Sequence, residues 1–196
     1  MKIPMPAAVL AGGTSRRMGR AKAGLPYGAG TLLEHQTSRL VPLFEEVLVV
    51  VKHPPVFAVG PARVLFDVEP GHSPIYGLIR ALAETDDRVF ALAVDLPVLS
   101  VDVIRAIAHR GLATSSSVVL PEADGFLQPL AAVWRRSVLP TAAQRIARGE
   151  LSLHGLAQEA GAEIFPEAEW RRLDPSGNSF ANLNTLEQYT AMREKA

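Results

Sequence analysis

Two hydrophobic patterns alternate along this chain. Short, largely apolar runs recur at residues 7–10, 46–51, 63–66 and 89–94. The first ends at Gly12-Gly13, the third at Asp67 and the fourth at Asp95. Runs this short, rich in valine and leucine, predict strands buried on both faces. Between them lie stretches with helical spacing, at residues 32–40, 75–83 and 101–108. Thr31 and Glu34 form a T-x-x-E capping box ahead of the first. Pro74 suits the opening turn of the second, and Ser100 suits the cap of the third.

The second half is less regular. Residues 118–120 and 130–133 flank a polar turn, Glu122-Ala123-Asp124-Gly125, which reads as a hairpin or a bent antiparallel strand. Helical segments follow near residues 138–148 and 153–160, with a short strand at 163–165. Thr185 and Gln188 give a second capping box, opening a last helix to about residue 195. Strand–helix alternation with continuous apolar strands predicts a three-layer α/β/α fold around a mostly parallel sheet. No linker divides the chain, so residues 1–196 are expected to form one domain.

Composition narrows the function. Of 196 residues, 48% are hydrophobic, enough for a real core and too many for disorder. Twenty basic residues balance twenty acidic ones, which argues against a nucleic-acid partner held by bulk charge. The absence of cysteine excludes a disulfide framework, a thiolate zinc site and a cysteine nucleophile. No apolar run approaches the ~18 residues of a membrane span. The opening apolar stretch reaches Gly12-Gly13 too soon for a signal-peptide core, so the expectation is a cytoplasmic protein with no membrane partner. The five histidines have no metal-ligand spacing, and Trp134 and Trp170 read as packing residues. Arg135, Arg136, Arg145, Arg148, Arg171 and Arg172 read as a solvated face that also offers partners for a substrate phosphate.

The densest chemical signal is residues 10–22, Leu-Ala-Gly-Gly-Thr-Ser-Arg-Arg-Met-Gly-Arg-Ala-Lys. Glycines after a buried strand let backbone amides approach a phosphate, and four cations without an acid suit a polyphosphate. The segment is neither a Walker A loop nor G-x-G-x-x-G. Glycines and arginines alone fit a solvated surface loop equally well. Asp95 alone, two residues before Pro97, reads as a turn residue, and so does Asp67.

This segment, L-A-G-G-x-S-x-R-M-G-x-x-K, resembles the signature of the nucleotidyltransferases of glycosyltransferase-A-like (Rossmann-like) fold. Within them the chain is most similar to the molybdenum cofactor guanylyltransferases, which join GMP from GTP to molybdopterin and release pyrophosphate. Asp67 with Ser73-Pro74-Ile75-Tyr76-Gly77-Leu78, then Asp95-Leu96-Pro97-Val98-Leu99, Gln128-Pro129-Leu130 and Asn182-Leu183-Asn184-Thr185 resemble further family segments. The resemblance implies nucleotide contacts from Leu10, Ala11, Gly12, Gly13, Arg16, Lys22, Asp67, Gly77 and Asp95. It implies catalytic roles for Lys22 and Asp95, Mg2+ on Asp95, and a second-substrate rim of Asn182 and Asn184. The implied partners are GTP, molybdopterin and, transiently, molybdoenzymes or their chaperones.

The chain departs from that pattern at four places. Lys52 stands where an asparagine is common, Ser73 replaces a glycine, Tyr76 replaces a small residue, and residues 149–154 lack an arginine. The first three fall where base selection is expected, the last on the pterin side. Two alternatives share the motifs: a nucleotidyltransferase using CTP or another acceptor phosphate, and a non-catalytic GTP-binding accessory protein of cofactor maturation.

Overall fold

A computed structural model describes residues 1–12, 22–55 and 58–181. In chain order the elements are β1 (Ile3–Leu10), a 3-10 turn (Lys22–Gly24), β2 (Pro26–Tyr27), β3 (Gly30–Thr31), α1 (Leu32–Leu40), β4 (Phe44–Val51) and β5 (Arg63–Phe66). There follow α2 (Pro74–Ala83), β6 (Arg88–Ala93), α3 (Val101–Ala113), β7 (Val118–Ala123), β8 (Phe126–Leu127) and β9 (Ala131–Arg135). After a further 3-10 turn (Arg136–Val138) come α4 (Leu139–Ala147), α5 (Leu153–Glu159), β10 (Glu163–Phe165) and α6 (Glu167–Trp170).

The main sheet runs β10-β7-β9-β6-β1-β4-β5, with β8 paired to β7. β1 is parallel to β4 and β6, β4 to β5, and β10 to β7. β9 is antiparallel to both β6 and β7 and so runs against the rest of that path. The mostly parallel sheet expected from the apolar runs is therefore present, with one reversed strand inserted.

Alternating side chains on the strands feed two cores, as strands covered on both faces require. Val9, Val49, Phe90 and Leu92 face one side, with Leu33 and Leu40 of α1 and Ile104 and Ile107 of α3. Ala8, Leu48, Val50 and Ala91 face the other, with Ile75, Leu78 and Leu82 of α2 and Leu156 of α5. This is the three-layer arrangement.

Several expectations are corrected in detail. β1 begins at Ile3, four residues before the predicted strand. Proline has no N–H to donate, so Pro4 and Pro6 suit a strand only where a ladder bond is not needed. Only the segment from Ala7 onward is flanked by β6, so both prolines lie outside the doubly paired part. β6 ends at Ala93 rather than Val94, which leaves Asp95 two residues beyond it. The polar turn shrinks to Asp124-Gly125, with φ of 51° and 77°. Two successive positive φ values are what a two-residue hairpin between β7 and β8 requires. Glu122 and Ala123 belong to β7 instead. The β2–β3 hairpin and α6 are too short to leave a periodic signal. The last predicted helix lies outside the described residues.

Candidate active site

The parallel strands β1, β4 and β5 end on the same edge of the sheet, as does β6 next to β1. Open α/β sheets bind ligands at that edge. Beyond β1, the Ala11 N–H continues the ladder by donating to Val50 O at 2.9 Å. Gly12 lies against the Lys52 stem: a Cβ added there would meet Lys52 Cγ at 3.4 Å. Gly13 and Arg16 lie outside the described residues, as do Asn182 and Asn184.

Lys22 and Asp95, 73 positions apart in sequence, meet at this edge: Lys22 Nζ donates to Asp95 Oδ2 at 2.7 Å. Their side chains are 17% and 22% exposed, so the pair is shielded but open to a ligand. Leu10 and Gly77 are also neighbours, since a Cβ on Gly77 would fall 3.5 Å from Leu10 Cδ2 and 3.7 Å from Val50 Cγ1. The start of α2 is thereby set against the end of β1. Ser73 caps that helix, its Oγ accepting from Ile75 N at 3.5 Å and donating to Leu151 O at 2.9 Å. A serine in place of glycine therefore has a local structural reason.

Asp67 is a buried carboxylate with its own cation. Lys52 Nζ lies 2.8 Å from its Oδ2, and the Glu69 N–H donates to its Oδ1 at 3.1 Å. Lys52 also donates to Glu69 O at 2.6 Å and stands 5.8 Å from the centre of the Tyr76 ring. Sequence reasoning placed Lys52 only where base selection is expected and gave it no partner. The structure makes it the partner of Asp67 and the neighbour of Gly12. Tyr76 finds room because Gly71 has no side chain: a Cβ there would come 2.5 Å from the ring.

A second set of residues was missed. After β6 the chain runs from Val94 to Leu99 before the α3 cap, and side chains of α1 hold its carbonyls. Gln36 Nε2 reaches Ala93 O and Val94 O, each at 3.4 Å. His35 Nε2 lies 3.0 Å from Pro97 O. Arg39 donates to Pro97 O at 2.7 Å and to Leu99 O. Burial, chiefly, holds the His35 pKa below its ordinary 6.5; the bond to Pro97 opposes this and the Arg39 charge adds to it. Spacings of three and four residues place these side chains on one face of a helix. That pattern is also what a solvated polar helix face looks like in sequence.

Of the later arginines, Arg136, Arg148, Arg171 and Arg172 are exposed, as a solvated face requires, and Arg135 and Arg145 are half-buried. Arg145 pairs with Glu159 at 2.7 Å and Glu150 at 3.1 Å, and at 11% exposure its side chain is not part of a solvated face. Arg148 pairs with Glu150 and Glu159, Arg171 with Glu167, and Arg136 donates to Thr85 O. Both tryptophans are buried, their Nε1 donating to Pro129 O at 2.9 Å and Glu122 O at 2.7 Å, as packing residues do. Among the described residues no group of three or more acidic, histidine or cysteine side chains could hold a metal ion. No helix among them is long and apolar enough to cross a membrane.

Comparison with known proteins agrees with this geometry. Residues 7–163, from β1 into β10, match the family described as MobA-like NTP transferase domain. A probable molybdenum cofactor guanylyltransferase of Mycobacterium tuberculosis is 37% identical over 188 residues, covering 93% of this chain and 92% of that protein. One from Peptoclostridium acidaminophilum is 27% identical over 93% of this chain and 85% of its own length. The crystal structure of molybdopterin-guanine dinucleotide biosynthesis protein A from Archaeoglobus fulgidus superposes with a TM-score of 0.86 at 22% identity, covering 97% of this chain and 98% of that one. A 2-C-methyl-D-erythritol 4-phosphate cytidylyltransferase from Thermus thermophilus has the same fold, with a TM-score of 0.64 at 18% identity, covering 100% and 98%. The match over most of the chain, with Lys22 and Asp95 brought together at the strand ends, makes this chain a member of the MobA-like NTP transferase family and a nucleotidyltransferase.

Proposed function

We propose that the chain transfers GMP from GTP to molybdopterin, releasing pyrophosphate. The observation that carries the reading is the Lys22–Asp95 contact at 2.7 Å on the edge where a parallel sheet receives ligands. The terminal phosphate oxygen of molybdopterin attacks the α-phosphorus of GTP. A new P–O bond forms as the bond to the bridging oxygen breaks, and the electron pair leaves with pyrophosphate. The protein's task in such a step is to place both reactants and neutralise charge.

Lys22 is a cation already paired with one anion, and a phosphate is an anion it can take in exchange. The backbone around Ala11 and Gly12 approaches the phosphate chain without side-chain obstruction, and Gly77, packed on Leu10, adds a nucleotide contact from the start of α2. Leu10, Gly13 and Arg16 belong to the same nucleotide-binding segment. Asp67, clamped by Lys52, borders the nucleoside. Asn182 and Asn184 form the rim toward molybdopterin.

Asp95 fits a magnesium ion that arrives with the nucleotide. It offers one hard, partly exposed carboxylate, and magnesium takes one or two carboxylates and fills its other positions with phosphates and water. When bound, the ion would supply charge neutralisation on the phosphates. The site belongs to a protein working in the cytoplasm, where it meets molybdoenzymes or their chaperones transiently; neither nucleic acid nor a membrane is a partner.

Pyrophosphate release, measured with GTP, CTP, ATP and UTP in turn, tests the reading. Release with GTP alone is expected. Release with CTP alone would replace guanylyl by cytidylyl transfer. Asp95→Ala is expected to abolish turnover while GTP affinity falls less. Lys22→Ala is expected to lower kcat by roughly a hundredfold or more, the size seen for lost transition-state charge donors. A change confined to KM would make Lys22 a uniform binder. Binding without turnover in the unaltered chain would favour an accessory role.

A further inference from the structure

Lys22 and Asp95 come from distant parts of the chain, yet both segments are fastened to α1. The Lys22 turn is tied to its N-terminal end. Leu25 N donates to Lys22 O at 3.0 Å, and Leu32 N, the first residue of α1, donates to Leu25 O at 2.8 Å. The β2–β3 hairpin between them leads into Thr31, whose capping box with Glu34 closes in both directions, at 3.2 and 2.6 Å. Tyr27 of that hairpin is buried and packs its ring on His35, with centroids 4.5 Å apart.

The Asp95 segment is tied to the same helix one turn further on. Of the residues from Ala93 to Leu99, four present carbonyls to side chains of Gln36, His35 and Arg39. Arg39 also donates to Gln36 Oε1 at 3.3 Å, which turns the Gln36 amide toward Ala93 and Val94. Gln36 is fully buried, so its amide has no water to fall back on. Among the described residues Arg39 has no carboxylate partner, and burial, above all, lowers its pKa. A desolvated guanidinium directed at main-chain carbonyls is costly as mere surface decoration. It is economical as a clamp, because its planar fork fixes two carbonyls at once.

We propose that α1 is the bar that sets Asp95 relative to Lys22, with Arg39, Gln36 and His35 as positioning residues for nucleotidyl transfer. The proposal rests on the reading that Asp95 engages the metal-bound nucleotide. Transfer rates respond steeply to such placement, since a displacement of about 1 Å costs on the order of a hundredfold.

The test is a double-mutant cycle on the full chain with Arg39→Met, Asp95→Asn and the two combined. Affinity for Mn2+-GTP is read by calorimetry, kcat by pyrophosphate release, and folding by urea titration. If Arg39 acts through Asp95, Arg39→Met should weaken Mn2+-GTP binding roughly fivefold and lower kcat roughly tenfold or more, but change affinity less than about twofold in the Asp95→Asn background. Arg39→Lys, which keeps the charge and one carbonyl bond, should recover part of the loss. Equal losses in both backgrounds would overturn the proposal and leave α1 as ordinary structural support. An Asp95→Asn variant identical to the parent would instead remove the reading of Asp95 itself, whatever Arg39→Met does. If Arg39→Met does not fold, His35→Leu carries the same cycle, with an expected affinity loss of about threefold confined to the Asp95 background.

Discussion

Lys52 and Asp67 show how a single residue choice reshapes a site. A carboxylate as buried as Asp67 must be paired or hydrogen-bonded, and here the lysine just after β4 and the Glu69 N–H do both. Removing one member of such a pair costs more than removing both, because the survivor is left uncompensated. Lys52→Met should therefore destabilise the chain by about 3 kcal/mol, and Lys52→Met with Asp67→Asn by clearly less. Urea midpoints of the two variants check this. His35 gives a pH signature. Its folded pKa lies below 6.5, so the unfolded chain binds more protons just below that pH. Its contribution to stability is present above 6.5 and is lost as pH falls through the lowered folded value. His35→Gln keeps a donor for Pro97 O but does not titrate. Its stability should decline less than the parent's between about pH 7 and pH 5, as read by urea midpoints across that range.

At the scale of elements, two helical glycines make opposite predictions. A Cβ on Gly77 of α2 would make ordinary contacts at 3.5 Å or more, so alanine fits and should raise stability by up to ~1 kcal/mol through helix propensity. A loss of turnover in a stable Gly77→Ala protein would then report a shifted packing of α2 on Leu10 at the site rather than misfolding. A Cβ on Gly111 of α3 would meet Val133 of β9 at 2.7 Å. Gly111→Ala should cost about 1–3 kcal/mol, because β9 must yield to make room. Thermal melts of both variants separate the cases. The elements themselves were largely legible where packing is one-sided or complete. α1 has the boundaries its capping box announced, and α2 and β5 follow the apolar spacing. The misjudged ends of β1 and β6 have one cause: whether Pro4, Pro6 or Val94 joins a ladder depends on how far the neighbouring strand extends.

Across the whole molecule, the parallel strands gather their ends and the helices sort to two sides. The edge so formed brings β1, β4, β5 and β6 together from residues 10 to 95, which no local pattern encodes. The reversed β9, inserted between β6 and β7, buries the middle of the sheet further from its edges. The later arginines illustrate the same point. Written in sequence they resemble a solvated stripe, and in space Arg148 and Arg171 are exposed as that implies, while Arg145 is drawn in between Glu150 and Glu159.

The sequence alone determined the fold class, and it singled out the glycine segment, Lys22 and Asp95 as the residues to watch. Those follow from local periodicity, from turn chemistry and from the likeness of short motifs, all of which are written along the chain. Only the tertiary structure decided that Lys22 meets Asp95, that Lys52 answers Asp67, and that α1 clamps the Asp95 segment. Each is a pairing between residues many positions apart, set by which surfaces the two cores bring into contact, and a buried polar side chain reveals its purpose only when its partner is in place.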